Sequence, residues 1–235
     1  MSATAKTTST AHRFLEIFGI AGFCLLEMFL AWRAIAHSQS VLDALVIVGA
    51  VLVGFVAADF MSGLVHWAFD RYGSVDTPLF GPNFILPFRE HHTDPKGITY
   101  HDFVETNGNN CIVTVPILAG AASIDPSWGA FAVFTSCFLG AMCLFVFGTN
   151  QFHKWAHQDD PPHWVQALQR WRLILDTPGH DIHHKAPFET YYCITTGWLN
   201  PLLAKIRFFE LMETTIFRLT GVRGGVDDAK ITGKN

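Results

Sequence analysis

VLDALVIVGAVLVGFVAADF, residues 41–60, has Asp43 and Asp59 as its only charged residues, and the apolar character continues to Phe69. About 20 apolar residues suffice for a helix to cross the hydrocarbon of a bilayer. This stretch therefore reads as a membrane span over Val41–Phe69 and sets the class of the whole chain. Three further stretches read the same way. FLEIFGIAGFCLLEMFLAWRAIA (Phe14–Ala36) carries Glu16, Glu27 and Arg33 and is the most polar of the set. CIVTVPILAGAASI (Cys111–Ile124) is short and holds Pro116, and SWGAFAVFTSCFLGAMCLFVFG (Ser127–Gly148) follows it after the turn signal Asp125-Pro126-Ser127. The last two read as a helical hairpin.

Composition agrees. Half of the 235 residues are apolar, 14 % are aromatic and only 15 % are charged, against about 25 % charged in a soluble domain. The charge that exists is collected in short segments between the apolar runs. The expectation is an all-α polytopic membrane protein with about four transmembrane helices. A polar tail over residues 1–13 precedes a membrane domain over 14–221, and the composition of 222–235 reads as a disordered tail. The first thirteen residues lack the pattern of a transit peptide. The net charge of −4 comes without a basic stripe, which excludes nucleic acid as a partner. The five cysteines form no CxxC pair and read as small buried hydrophobes of a reducing compartment.

Four spans starting from a cytoplasmic N-terminus leave residues 71–110 and 149–235 on the cytoplasmic side. Fifteen of the sixteen Lys and Arg residues then lie on that side or at its edge, with Arg33 the exception, as the positive-inside rule requires. The outer connections, His37–Ser40 and Asp125–Ser127, contain no Lys or Arg.

The same topology delivers most of the twelve histidines to one surface. His66 ends the second span in DFMSGLVHWAFD. His91, His92 and His101 lie in FREHHTDPKGITYHDFVETNGNN, His153 and His157 in NQFHKWAH, and His180, His183 and His184 in HDIHH. His153 and His157 are spaced i, i+4, and the last trio i, i+3, i+4, so each set shares one face of a helix. Asp59, His66 and Asp70 fall on one stripe of the second span. Converging imidazoles are costly to bury unless their nitrogens find partners, and a metal is their common partner. Nine candidates exceed what one ion needs; two ions fit better, and nitrogen-rich sites backed by carboxylates suit iron. Asp70, Asp102, Glu105, Asp159 and Asp181 are placed to orient ring N–H groups, and Asn107, Asn110 and Asn150 could complete a coordination shell through water. His12, His37 and His163 read as structural. Trp67, Trp155, Trp164, Trp171 and Trp198 suit an aromatic interface belt, and the segment from Tyr191 reads as an interfacial amphipathic helix ending at Gly221.

The segments FREHHTDPKGITYHDFVETNGNN, NQFHKWAH and HDIHHKAPFETYYCITTGWLNPL resemble the signature segments of the plasmanylethanolamine desaturases, which make the vinyl ether of plasmalogens. The resemblance runs from about Asp59 to Leu219 and leaves the first span unassigned. It implies an integral-membrane di-iron enzyme that uses O2. The substrate would be an ether phospholipid, and electrons would come from NAD(P)H through a cytochrome b5-type or ferredoxin donor protein. It also implies that His66, His91, His92, His101, His153, His157, His180, His183 and His184 are the metal ligands, in a cytoplasmic histidine-rich di-metal cap. The implied membrane is the bacterial inner membrane or, in a eukaryote, the endoplasmic reticulum. One departure is visible: a histidine follows the Ala-Pro pair in the family, where this chain has Phe188. Plastid desaturases acting on phosphatidylglycerol share much of the pattern. A related hydroxylase would share the histidines, and a membrane metal carrier would place its ionisable groups near the bilayer midplane instead.

Overall fold

A computed structural model describes residues 10–78 and 80–225, except for the side chain at position 83. The expected tails therefore fall largely outside the described residues. The regular elements among them are all helices, with no strand among the described residues. α1 (Thr10–His37) and α2 (Val41–Arg71) are joined by three residues. A wide helical turn (Gly81–Ile85) leads into α3 (Leu86–His91). α4 (Phe103–Ser123) and α5 (Ala130–Ala156) form the expected hairpin. Connections of six, nineteen and two residues then link α6 (His163–Arg170), α7 (Thr177–His180), α8 (Asn200–Lys205) and α9 (Phe208–Thr220). α1, α2 and α5 are long and apolar enough to cross a membrane. α4 has the length, and its first half is more polar than the expected span, Cys111–Ile124.

The chain divides into two units, residues 1–55 with 101–151, and residues 56–100 with 152–235. In the first, α1 packs along α4. Phe23 and Leu30 of α1 meet Cys111, Leu118 and Ala121 of α4 and Cys143 of α5 in one apolar cluster. The approach is close because α1 carries glycine: a Cβ on Gly19 would stand 2.9 Å from the Ile112 side chain. α4 begins at Asp102, whose carboxylate accepts the Glu105 N–H at 3.0 Å and both guanidinium nitrogens of Arg13. The outer face of α1, including Phe14, Phe18, Leu25, Met28, Trp32 and Ile35, is exposed, as lipid contact demands.

In the second unit, Trp67 of α2 packs with Tyr192, Cys193, Leu203 and Phe209, and α9 lays Phe208, Met212 and Ile216 on the same cluster. Trp67 is thus a core residue bonded through its indole N–H to Glu213, a correction to the expected belt, whereas Trp164, Trp171 and Trp198 are exposed. α9 stops at Gly221, whose φ of 73° is the left-handed cap geometry that favours glycine. The expected helix from Tyr191 is corrected here, because residues 191–199 are not helical and Arg207, with a φ of 53°, separates α8 from α9; the amphipathic pattern of α9 was legible.

Candidate metal centre

Short elements at the ends of long helices supply the histidines. His66 and Asp70 lie one turn apart at the end of α2, His153 is in the last turn of α5, and His157 follows it. His91 ends α3 and His92 caps it. His180 ends α7, itself capped by Asp176, whose carboxylate accepts the Gly179 N–H. The chain beyond α7 keeps turning, with His183 and His184 N–H both donating to the His180 carbonyl, so the i, i+3, i+4 spacing acts as it would in a helix.

Two groups result. His91, His153, His157, His180 and His184 bring one donor atom each within 4.8 Å of one another, and so do His66, Asp70, His92 and His183. The two doubled histidines explain the division. Neighbours on a helix point about 100° apart, so His91 and His184 enter the first group while His92 and His183 enter the second.

In the second group, ring orientation is fixed from behind. His66 Nδ1 lies 3.0 Å from the Tyr192 carbonyl and His183 Nδ1 lies 2.8 Å from that of Thr190. A carbonyl only accepts, so both Nδ1 atoms carry the proton and both Nε2 atoms present lone pairs. Those Nε2 atoms stand 3.2 and 3.6 Å from Asp70 Oδ2, and His92 Nε2 stands 3.4 Å from the same oxygen. Phe188, at the departing position, stacks nearly parallel on His92 at 4.7 Å.

The first group tests the fit to a metal. His157, His153, His180 and His184 form a chain of Nε2···Nε2 contacts of 3.3, 2.8 and 3.0 Å. A ring nitrogen has one proton or one lone pair, so His153 and His180, each with two contacts, can satisfy only one of them by hydrogen bonding. His91 Nε2 is buried with no hydrogen-bond partner at all. A central cation satisfies all five as lone-pair donors, and metal–nitrogen bonds of about 2.0–2.1 Å place neighbouring donors ~3–4 Å apart. The residues fit. Burial, followed by the neighbouring imidazoles, pushes His91 and His180 well below the usual imidazole range. Burial likewise brings His184 and His183 to about 3 and His157 to about 4, there assisted by Lys96. The free bases that a metal requires are the forms present at neutral pH.

His101 joins neither group; its Nε2 lies 3.8 Å from Glu105 on the first turn of α4. Of the carboxylates expected to orient rings, only Asp70 belongs to a group. Asp102 caps α4, Asp159 pairs with Lys96, Asp181 is exposed, and main-chain carbonyls do the orienting. Asn150 donates to the Thr106 carbonyl and Asn110 to that of Val146, and Asn107 donates to the Phe103 carbonyl, so all three amides brace helices. His12 lies against Asn109, His37 against the Arg33 carbonyl, and His163 is exposed. Sequence reading missed Thr190 and Tyr192, since a carbonyl leaves no mark in the identity of its residue.

Comparison with known proteins identifies the family. A lipid desaturase domain matches residues 55–227, which take in every residue of both groups. The chain is 46 % identical to the plasmanylethanolamine desaturase of Myxococcus xanthus over 95 % of its own length and 79 % of the relative. It is 51 % identical to the mouse plasmanylethanolamine desaturase 1 over 79 % of its length and 70 % of the relative. A chloroplastic fatty acid desaturase 4-like protein of Arabidopsis thaliana is 33 % identical over 74 % of this chain and 58 % of the relative. No solved structure matches. On the match across the domain and the extent of these identities, the chain belongs to the plasmanylethanolamine desaturase family of lipid desaturases.

Proposed function

We propose that the protein converts the sn-1 alkyl chain of plasmanylethanolamine into the vinyl ether of a plasmalogen, with two iron ions held by the two groups. The observation that carries this reading is the division of each doubled histidine between two adjacent donor groups. One hydrogen leaves C1 and one leaves C2, while O2 takes up these two hydrogens together with two electrons and two protons and becomes two waters. NAD(P)H, through a cytochrome b5-type or ferredoxin donor, is the source of the electrons. An unactivated C–H bond lies beyond the reach of any side chain, and iron with O2 supplies the oxidant.

The chain's own residues hold and aim that chemistry. Neutral imidazoles present lone pairs, Asp70 gathers three of them, and the Thr190 and Tyr192 carbonyls keep His183 and His66 in the correct tautomer. Phe88 and Phe188 flank His66 and His92 with apolar surface, which helps to keep water out. The bond attacked adjoins the ether oxygen, so the headgroup stays at the interface. Groups at the ends of α2 and α5 suit that shallow depth, on the cytoplasmic face. His101 is the ninth ligand implied by the resemblance; its place beside Glu105 makes it the least supported of the set.

The test is lipid mass spectrometry on a host that lacks vinyl ethers, fed alkylglycerol and expressing either this chain or His183→Ala. Acid-labile plasmenyl lipid is expected with the native chain, and a loss of about 100-fold or more with the variant. A double bond appearing in an acyl chain instead would favour the activity that the name of the plant relative describes; an added hydroxyl would mark a hydroxylase.

A further inference from the structure

Asp59 sits in the apolar middle of α2, 1 % exposed, two turns before His66 on the same stripe. A carboxylate there is expensive unless it is fully bonded. Its Oδ1 accepts the N–H groups of Thr196 at 2.7 Å and Gly197 at 2.8 Å, and its Oδ2 accepts that of Leu199 at 3.1 Å. One turn along α2, Ser62 Oγ accepts the Ile194 N–H at 3.0 Å. A further turn on, His66 Nδ1 donates to the Tyr192 carbonyl. Residues 190–199 thus form a strap that runs antiparallel to α2, pinned at successive turns.

The strap is closed on itself by Asn200, whose side chain bonds both the N–H and the carbonyl of Cys193 at 2.9 Å. It is pressed on α2 at Gly63, where a Cβ would meet Cys193 Sγ at 2.5 Å. The two carbonyls just upstream of the pinned residues, Tyr192 and Thr190, are those that fix His66 and His183. Both histidines belong to the group containing Asp70. In the five-histidine group, His180 Nδ1 and His184 Nδ1 have no hydrogen-bond partner, so these two rings take no orientation from the strap. The strap meets the segment leading to His180 through Leu175 N–H to the Thr195 carbonyl, the Trp198 indole N–H to the Arg172 carbonyl, and Ile194 packed with Leu175 and Ala156; none of these contacts involves a histidine ring, and α7 has its own anchors in Asp176 and in Thr177 Oγ1, which donates to the Ala156 carbonyl.

We propose that Asp59 is a positioning residue for one metal position only, that of His66, Asp70, His92 and His183, acting through the strap that aims His66 and His183. The inference rests on the two-position reading above. Its consequence is that the two positions respond unequally to damage in the membrane core.

The experiment measures ions bound per chain, by elemental analysis and by titration with Co2+ followed through its absorption spectrum, in the native chain, Asp59→Ala, Asp59→Asn and Asn200→Ala. The native chain is expected to bind two ions. Asp59→Ala and Asn200→Ala are expected to keep one at native affinity and to bind the other about 10–100-fold more weakly, with the spectrum of the five-histidine position unchanged. Asp59→Asn keeps the acceptor for Thr196 and Gly197 and is expected to fall between; it carries the test alone if the alanine variants do not fold. A general structural role would weaken both positions together, and that result, or two ions at native affinity in every folded variant, overturns the inference. A native chain that binds a single ion overturns the two-position reading and the inference with it.

Discussion

His180 Nε2 meets His153 at 2.8 Å and His184 at 3.0 Å, a contact pattern that free-base imidazoles around a cation would resolve. Protons are therefore the natural competitor. For a base whose folded value is lowered, the unfolded chain binds more protons between the two values, so stability rises with pH across that window. With unfolded histidines near 6.5, His157 at about 4, and His183 and His184 at about 3, the metal-free chain is expected to be at full stability above about pH 6.5. It should weaken steadily as pH falls toward 4. Metal retention should decline with the fold over the same window, and by direct protonation of the folded ligands only near pH 4 and below. Unfolding midpoints and metal content measured on one pH series check this, and a flat profile from neutrality to pH 4 would refute it. At this scale the sequence was informative where chemistry resides in side chains. HH at 91–92 and at 183–184, HxxxH at 153–157 and the i+4 pair His66–Asp70 were all readable. The orienting carbonyls of Thr190 and Tyr192 were not, since they depend on how residues 190–199 lie on α2, a long-range fact.

Elements show the same division between local and distant causes. α2 and α5 were legible because lipid demands unbroken apolar length, and the hairpin of α4 and α5 because Asp-Pro-Ser turns locally. Asp102 was read as a partner for ring N–H groups because it follows His101; it is instead the N-cap of α4 and the partner of Arg13. The cap commits it, as an aspartate before a helix usually is. Replacing Asp102 by alanine is expected to cost about 1 kcal/mol from the lost cap, the solvent-screened pair with Arg13 adding little. It should leave metal content unchanged, because Asp102 belongs to neither donor group. Thermal unfolding in detergent together with elemental analysis measures both, and loss of metal in Asp102→Ala would return this residue to the site.

For the whole molecule, the number of crossings follows from the donor groups rather than from apolarity alone. Among the described residues three helices are long and apolar enough to span, yet His91 shares one group with His153, His157, His180 and His184. Between His92 and His153 the chain passes through α4 and α5. If α5 crosses the bilayer, α4 must cross as well, or histidines of one group would lie on opposite sides of the membrane. With four crossings, residues 38–40 and 124–129, which carry no Lys or Arg, are expected on the opposite side of the membrane from His91 and His153. Arg33, near the end of α1, donates to the Ala121 and Ala122 carbonyls and to Ser136, so its charge satisfies the last turn of α4. This topology can be read with cysteines placed one at a time in a chain whose native cysteines are replaced by alanine. A membrane-impermeant thiol reagent added to intact cells is expected to label Gln39→Cys and Ser127→Cys, and to label Lys96→Cys only after the membrane is opened. Labelling of Ser127→Cys and Lys96→Cys from the same side would mean that α4 does not cross, which would separate His91 from His153 and dismantle the five-histidine group.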